Sequence, residues 1–198
     1  MRPLRWNDPL PRRPRRVLVT GTSGAGKTTL ARAVSELLAV PFWEIDALFH
    51  GPGWTPRAEF VPDVLEHAGQ PEWATEWQYS AVRPLLLARA DLLVRLDLTR
   101  WRVVSQLVRR TVTRRVARSE MWNGNQEPPL HTLFTDRDHI LRWRWRTHAG
   151  TGERVRRLLA DGTGPPVVRL RDRREVRDWL AGPLRDAATL PRCPDRTE

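Results

Sequence analysis

Residues 17–38 constrain this chain more than any other stretch. Val17-Leu18-Val19 is a short apolar run, and Gly21-Thr22-Ser23-Gly24-Ala25-Gly26-Lys27-Thr28 follows almost at once. Leu30, Ala33, Val34, Leu37 and Leu38 then recur at spacings of three and four. A continuous apolar run reads as a buried strand and a 3.6-residue period as a helix, so the glycine-rich octet is the turn between them. Lys27 is the only lysine among 34 lysines and arginines. A chain that has otherwise exchanged lysine for arginine keeps one compact ammonium where a flexible stem can fold over a loop and reach between phosphates. A planar guanidinium would not fit there.

The octet matches G-x-x-x-x-G-K-[ST], whose main-chain N–H groups surround a polyphosphate. Gly21, Thr22, Ser23, Gly24, Ala25, Gly26, Lys27, Thr28 and Thr29 are therefore expected to hold ATP, with Thr28 Oγ on Mg2+. Two rival motifs fail on the residues themselves. A dinucleotide G-x-G-x-x-G would need glycine at Thr29, and a nucleophile elbow around Ser23 would need it at Ala25.

A length of 198 residues suits one α/β domain with a modest insertion. The single cysteine, Cys193, excludes a disulfide framework or a cysteine-built zinc site. No run approaches the eighteen or so apolar residues of a membrane span, and no secretory segment follows the start, so a cytoplasmic setting without membrane partners is expected. The net charge of +11 raises nucleic acid as a partner. The arginines concentrate at residues 12–16, 100–118 and 137–157, however, and a basic lid over nucleotide phosphates accounts for the central stretch as well as DNA does.

Along the chain, residues 1–15 read as a disordered proline- and arginine-rich arm. Strands are expected at 17–20, 42–45, near 73–77, at 92–96 and at 167–170, and residues 183–198 as a tail. Between them fall helices at about 27–39, 57–67 (apolar side Phe60, Val64 and Leu65), 82–90, 99–118, 135–160 and 173–180. The 135–160 helix has a possible interruption at Gly150–Gly152. Residues 16–182 then form one domain, with a substrate-side insertion at 47–71 and a helical lid region at 99–160. Alternating strands and helices imply a parallel sheet covered on both faces, with ligands beyond the strands' carboxyl ends. That rule brings Asp46, Glu76 and Asp97 to the edge that carries the glycine-rich loop.

The loop resembles those of adenylate-kinase-like P-loop kinases. Asp46-Ala47-Leu48-Phe49-His50 followed by Gly53-Trp54 resembles a segment of the bacterial DNA-topology-modulation-like ATPases. Trp73-Ala74-Thr75-Glu76-Trp77-Gln78-Tyr79 is similar to their W-x-x-D-G-N-Y stretch, and Arg89-Ala90-Asp91 with Leu96-Asp97-Leu98-Thr99-Arg100-Trp101 to a third segment. The resemblance implies a three-layer P-loop NTPase fold with a five-stranded parallel sheet of order 2-3-1-4-5 and an arginine-rich helical lid. Glu76 stands where relatives carry aspartate, and Trp77-Gln78 where they carry Gly-Asn. The tryptophan is expected to crowd the acceptor pocket.

Phosphoryl transfer asks a protein for alignment and charge stabilisation. Lys27 would bridge the β- and γ-phosphates. Glu76 would order the magnesium with Thr28, and Asp46 would take the acceptor's proton or hold the acceptor. Arg100, Arg109 and Arg114 are the first catalytic candidates in the lid, with Arg110, Arg115, Arg142 and Arg146 beside them. By analogy with related architectures Arg171 would bracket adenine. Trp54 and Trp77 could stack on a planar acceptor, although packing is the commoner use of tryptophan. The five histidines lack ligand spacing and read as surface or packing residues. The expected activity is transfer of the γ-phosphate of Mg-ATP to a small acceptor, a nucleotide, a sugar or another hydroxyl compound. The rival is a nucleic-acid-associated regulatory ATPase.

Overall fold

The computed structural model describes residues 2–98, 120–121, 125–126 and 140–194, with backbone alone for 120–121, 125–126 and 140–149. Alternation along the strands decides the layering. In the central strand β1 (Arg16–Gly21), Val17 and Val19 join one apolar cluster and Leu18 the other. β2 (Trp73–Glu76) and β3 (Leu92–Leu96) divide their side chains in the same way. β4 (Glu120–Met121) and β5 (Asn125–Gln126) form a separate antiparallel pair. β6 (Val167–Leu170) returns to the main sheet, sending Val168 and Leu170 to one face and Val167 to the other.

The main sheet is parallel throughout, in the order β2-β1-β3-β6. The amphipathic helix α1 (Lys27–Leu38) covers one face through Leu30, Ala31, Val34 and Leu38. Trp179, at the end of a C-terminal helix, and Leu184 pack against that same face. Of the next helices along the chain, α2 (Ile45–Phe49), α3 (Phe60–Gly69) and α4 (Arg83–Arg89) lie on the other face, together with α5 (Ile140–Asp161). The C-terminal helix α6 (Arg173–Trp179) passes into a π turn, Leu180–Leu184. Pro183 lies inside that turn; its missing N–H and its ring are what break the regular ladder.

The sheet has four strands, which corrects the five-stranded 2-3-1-4-5 arrangement expected from the resemblance. Of the strand expected at 42–45, only a single bridge from Phe42 to Ala74 forms. Pro41 can accept but not donate: its carbonyl takes the Ala74 N–H at 2.8 Å. Ile45 is drawn instead into α2, where its N–H points at a carboxylate of β2. Smaller differences follow from packing. α3 begins at Phe60 with Val64 and Ala68 buried, whereas Leu65 is exposed. α5 runs without interruption through Gly150 and Gly152. A Cβ at Gly152 would lie 3.2 Å from the Arg95 guanidinium.

From residue 2 onward the expected arm is seated against the sheet, not disordered. Leu4 lies along the open edge of β6, donating to the Val167 carbonyl at 2.8 Å and accepting from the Arg169 N–H at 2.9 Å. Leu10 is buried in the α1-side core, with Leu4 and Trp6 packed against it. Arg13 exchanges main-chain hydrogen bonds with Pro191 and Cys193, which ties the arm to the expected tail. Its guanidinium meets Glu72 at 3.1 Å, and Arg192 meets the same carboxylate at 2.7 Å. An arm that completes another element's edge needs no period of its own, so its sequence shows none. Removing residues 2–10 is expected to lower the melting temperature by roughly 3–12 °C through loss of the buried Leu10 alone. About 1.5–3 kcal/mol goes with each large apolar side chain, and about 2–4 °C with each kcal/mol in a chain this size. Light scattering should rise as the β6 edge opens.

Candidate phosphate-binding and acceptor site

The loop from Gly21 to Gly26 leaves the carboxyl end of the central strand and turns into α1. Gly24 and Gly26 hold left-handed φ values of 83° and 93°, a region that a side chain would strain. Gly21 meets a different demand: a Cβ there would lie 3.0 Å from both Cβ and the carbonyl oxygen of Leu96. The Ala25 N–H closes a turn on the Thr22 carbonyl at 3.1 Å. No side chain caps the N-terminus of α1, and no acid lies in its first turn. Its first amides and its positive dipole end therefore favour an anion. Lys27 folds back over the loop, only 9% exposed, with Nζ 3.5 Å from the Thr22 carbonyl.

Glu76 ends β2 with no accessible surface. Thr28 donates its hydroxyl to Oε1 at 2.7 Å, and the Ile45 N–H lies 3.4 Å from Oε2. Burial pushes the Glu76 carboxyl pKa upward and the neighbouring Asp46 charge adds to it; the Thr28 hydroxyl, the Ile45 amide and Lys27 oppose the shift without cancelling it. A buried acid against a threonine hydroxyl suits a hard divalent cation, whose oxygen ligands are of this kind. No group of three or more acidic, histidine or cysteine side chains with metal-binding geometry occurs among the described residues. Thr28 and Glu76 would thus hold the ion together with phosphates and water.

Asp46 stands in the first turn of α2. Its Oδ1 accepts from the Tyr79 hydroxyl at 2.6 Å and from Gln78 Nε2 at 3.2 Å. Tyr79 also lies 3.4 Å from His50 Nε2 and stacks on Phe49 with ring centroids 4.1 Å apart. Its backbone is left-handed, at φ 55°, which costs a bulky residue about 1–3 kcal/mol and is held by these contacts. Burial, the Asp46 charge and the hydrogen bond to Asp46 all raise the Tyr79 phenol pKa, so the phenol stays protonated and donates. Sequence reasoning passed over Tyr79, Gln78 and His50 as functional candidates. The W-x-x-D-G-N-Y resemblance carried a signal for the first two, and the resemblance over Asp46-Ala47-Leu48-Phe49-His50 one for His50.

The other expected positions fall elsewhere. Asp97 does not join Asp46 and Glu76: it takes hydrogen bonds from Arg95 Nη2 and Arg169 Nε, each at 2.7 Å. Burial would raise its pKa, but Arg169 and Arg95 together outweigh burial and hold the carboxyl below the usual range. Trp77 does not crowd a pocket; it is buried, with its indole N–H on the Arg83 carbonyl at 3.0 Å. Trp54 is half-buried against His50, with ring centroids 5.2 Å apart. Thr29 is exposed on α1. Arg171 is exposed, and its main-chain N–H is taken by Glu175 at 2.6 Å. Arg100, Arg109, Arg110, Arg114 and Arg115 lie outside the described residues. Of Arg142 and Arg146 only the backbone, in α5, is described.

A parallel sheet whose central strand feeds a glycine-rich loop and a helix, with one lysine folded over the loop, is a P-loop kinase-like fold. The structure is similar to that of a gluconokinase from Sinorhizobium meliloti 1021, at a TM-score of 0.50 and 21% identity over 89% of this chain and 95% of that one. A sugar kinase from Janibacter sp. HTCC2649 aligns at a TM-score of 0.46 and 19% identity, covering 89% of this chain and 93% of its own. A shikimate kinase from Bacteroides thetaiotaomicron aligns at 0.41 and 18%, over 85% and 95%. No protein-family model and no curated protein matches the sequence. Among the described residues no helix is long and apolar enough to cross a membrane.

Proposed function

We propose that this protein is an ATP-dependent phosphotransferase that moves the γ-phosphoryl group of Mg-ATP to a hydroxyl of a small acceptor. The observation that carries this reading is the convergence on Glu76: one carboxylate accepts from Thr28 of the phosphate loop and lies against the Ile45 amide, next to Asp46. Three separate elements thereby fix a phosphate cradle and a second acid beside each other. Magnesium, when bound, neutralises charge on the phosphates. The loop amides and Lys27 hold the triphosphate, and Lys27 meets the charge that grows on the transferring group. Asp46 takes the acceptor's proton while Tyr79 and Gln78 fix its carboxylate.

The resemblance to DNA-topology-modulation-like ATPases stays one of motifs. Several described arginines are paired internally, on Glu72, Asp63 and Asp97. Asp46→Asn keeps an oxygen for Tyr79 and Gln78 but removes the base. Its transfer rate, read as acceptor-dependent ADP release, should fall by on the order of 10²- to 10⁴-fold with Mg-ATP binding unchanged by calorimetry. An Asn variant that turns over like the wild type removes Asp46 from the reaction.

A further inference from the structure

At the opposite end of the strands from the phosphate loop, three arginines converge on one acid. Glu72 Oε1 lies 3.1 Å from Arg13 Nη1, 2.7 Å from Arg192 Nε and 3.8 Å from Arg15 Nε. Main-chain pairing builds the convergence. Arg13 and Arg192 are bridged as parallel neighbours, and the Trp73 N–H, next to Glu72, donates to the Arg15 carbonyl at 2.9 Å. Arg13 is only 8% exposed, and its Nη2 also donates to the Leu38 carbonyl, so its charge is fixed in place. Arg15 and Arg192 line a cleft of about 360 Å³ together with Glu72, Gln70, Pro41 and Pro71. That volume falls in the range of small-ligand pockets.

Charge around this cleft does not balance. Glu72 sets one negative charge against three guanidiniums. Asp91, just before β3, takes the Arg15 and Arg16 main-chain N–H groups at 2.9 and 3.0 Å. With Arg16 and Asp91 included, this described cluster still holds two more cations than acids. A concave surface of one sign focuses its field on an arriving counter-ion. Guanidinium forks offer paired N–H donors that match phosphate oxygens. A ligand that draws Arg15 and Arg192 partly away from Glu72 must carry more than one negative charge. We propose that the cleft binds a small polyvalent phosphate, an inorganic diphosphate or a phosphate ester, through Arg15 and Arg192, with Arg13 as fixed charge behind them. Such a ligand ties the arm to the tail. Ligands of open α/β sheets gather at the carboxyl ends of the strands. This cleft opens at the amino ends, roughly 20 Å from the phosphate loop at about 3.3 Å per residue along β1. It is therefore a second site, independent of the phosphotransfer reading.

The test is thermal melting of the full chain without magnesium, in inorganic pyrophosphate, in glycerol 3-phosphate and in sodium chloride of matched ionic strength. One of the two phosphates should raise the melting temperature by about 5–11 °C at about a hundred times its Kd, and chloride should not. The larger shift tells whether a free diphosphate or an ester is the ligand. Arg15→Gln and Arg192→Gln should each weaken binding by roughly tenfold or more, and Arg192→Lys should restore part of it. Arg156→Gln, which removes an exposed cation paired with Glu153, should leave it unchanged. Glu72→Gln should tighten it, because the competing carboxylate is gone; a mere tie between arm and tail would lose stability there and gain no affinity. Lys27→Ala should keep the shift, since the phosphate loop lies at the other end of the strands. An equal rise in chloride, no rise in either phosphate, a shift surviving in both Arg15→Gln and Arg192→Gln, or loss of the shift in Lys27→Ala overturns the proposal.

Discussion

Lys27→Ala is expected to abolish Mg-ATP binding and phosphoryl transfer together, with the fold intact. The ammonium lies folded over the loop, near the Thr22 carbonyl and within the field of Glu76. Every other described cation lacks that position. Without Lys27 the glycine-rich backbone and the helix end remain, but they carry only partial charges. Loss of one positioned donor to developing charge lowers turnover on the order of 10²- to 10³-fold, and loss of a full charge at a triphosphate should reach at least that. Calorimetry with Mg-ATP should show no heat, while circular dichroism and the melting temperature stay near wild type. Wild-type heat from the alanine variant would falsify the phosphate-loop assignment.

Glu76→Gln should separate stability from activity. Burial raises the Glu76 pKa in the folded state above its value in the unfolded chain. Between those two pKa values the folded state binds more protons, so this group's contribution to stability falls as pH rises from the unfolded carboxylate value of 4.5 through the folded one. A neutral glutamine removes that penalty. The melting temperature of the variant relative to wild type should therefore climb as pH rises above the unfolded carboxylate value of 4.5, measured without nucleotide or metal. Over the same range its magnesium-dependent ADP release should be lost, because an amide is a poor ligand for a hard cation or its water. A pH-independent difference in melting temperature would place Glu76 in an ordinary solvated state. Wild-type turnover would take it out of the site.

The phosphate loop was legible because everything it needs is local. A run of apolar residues, three glycines and a lysine set the strand, the turn and the helix within two dozen positions. Glu76 was legible for a related reason, since an acid closing an apolar strand must emerge at the ligand-bearing edge. The short second strand was misread because Phe42-Trp43-Glu44-Ile45 satisfies a strand pattern by composition. Whether it pairs depends on Pro41 beside it and on a carboxylate 31 residues away from Ile45. The arm was misread because its partner, the β6 edge, lies more than 150 residues along the chain.

By itself the sequence determined that a strand and a helix meet at a glycine-rich loop, since close neighbours along the chain decide such geometry. Tertiary structure alone decided what stands opposite that loop. Tyr79 on Asp46, the seat of the arm and the withdrawal of Asp97 onto Arg169 all depend on contacts between distant segments. Charge pairing between remote segments is settled by distance in space, which spacing along the chain does not record.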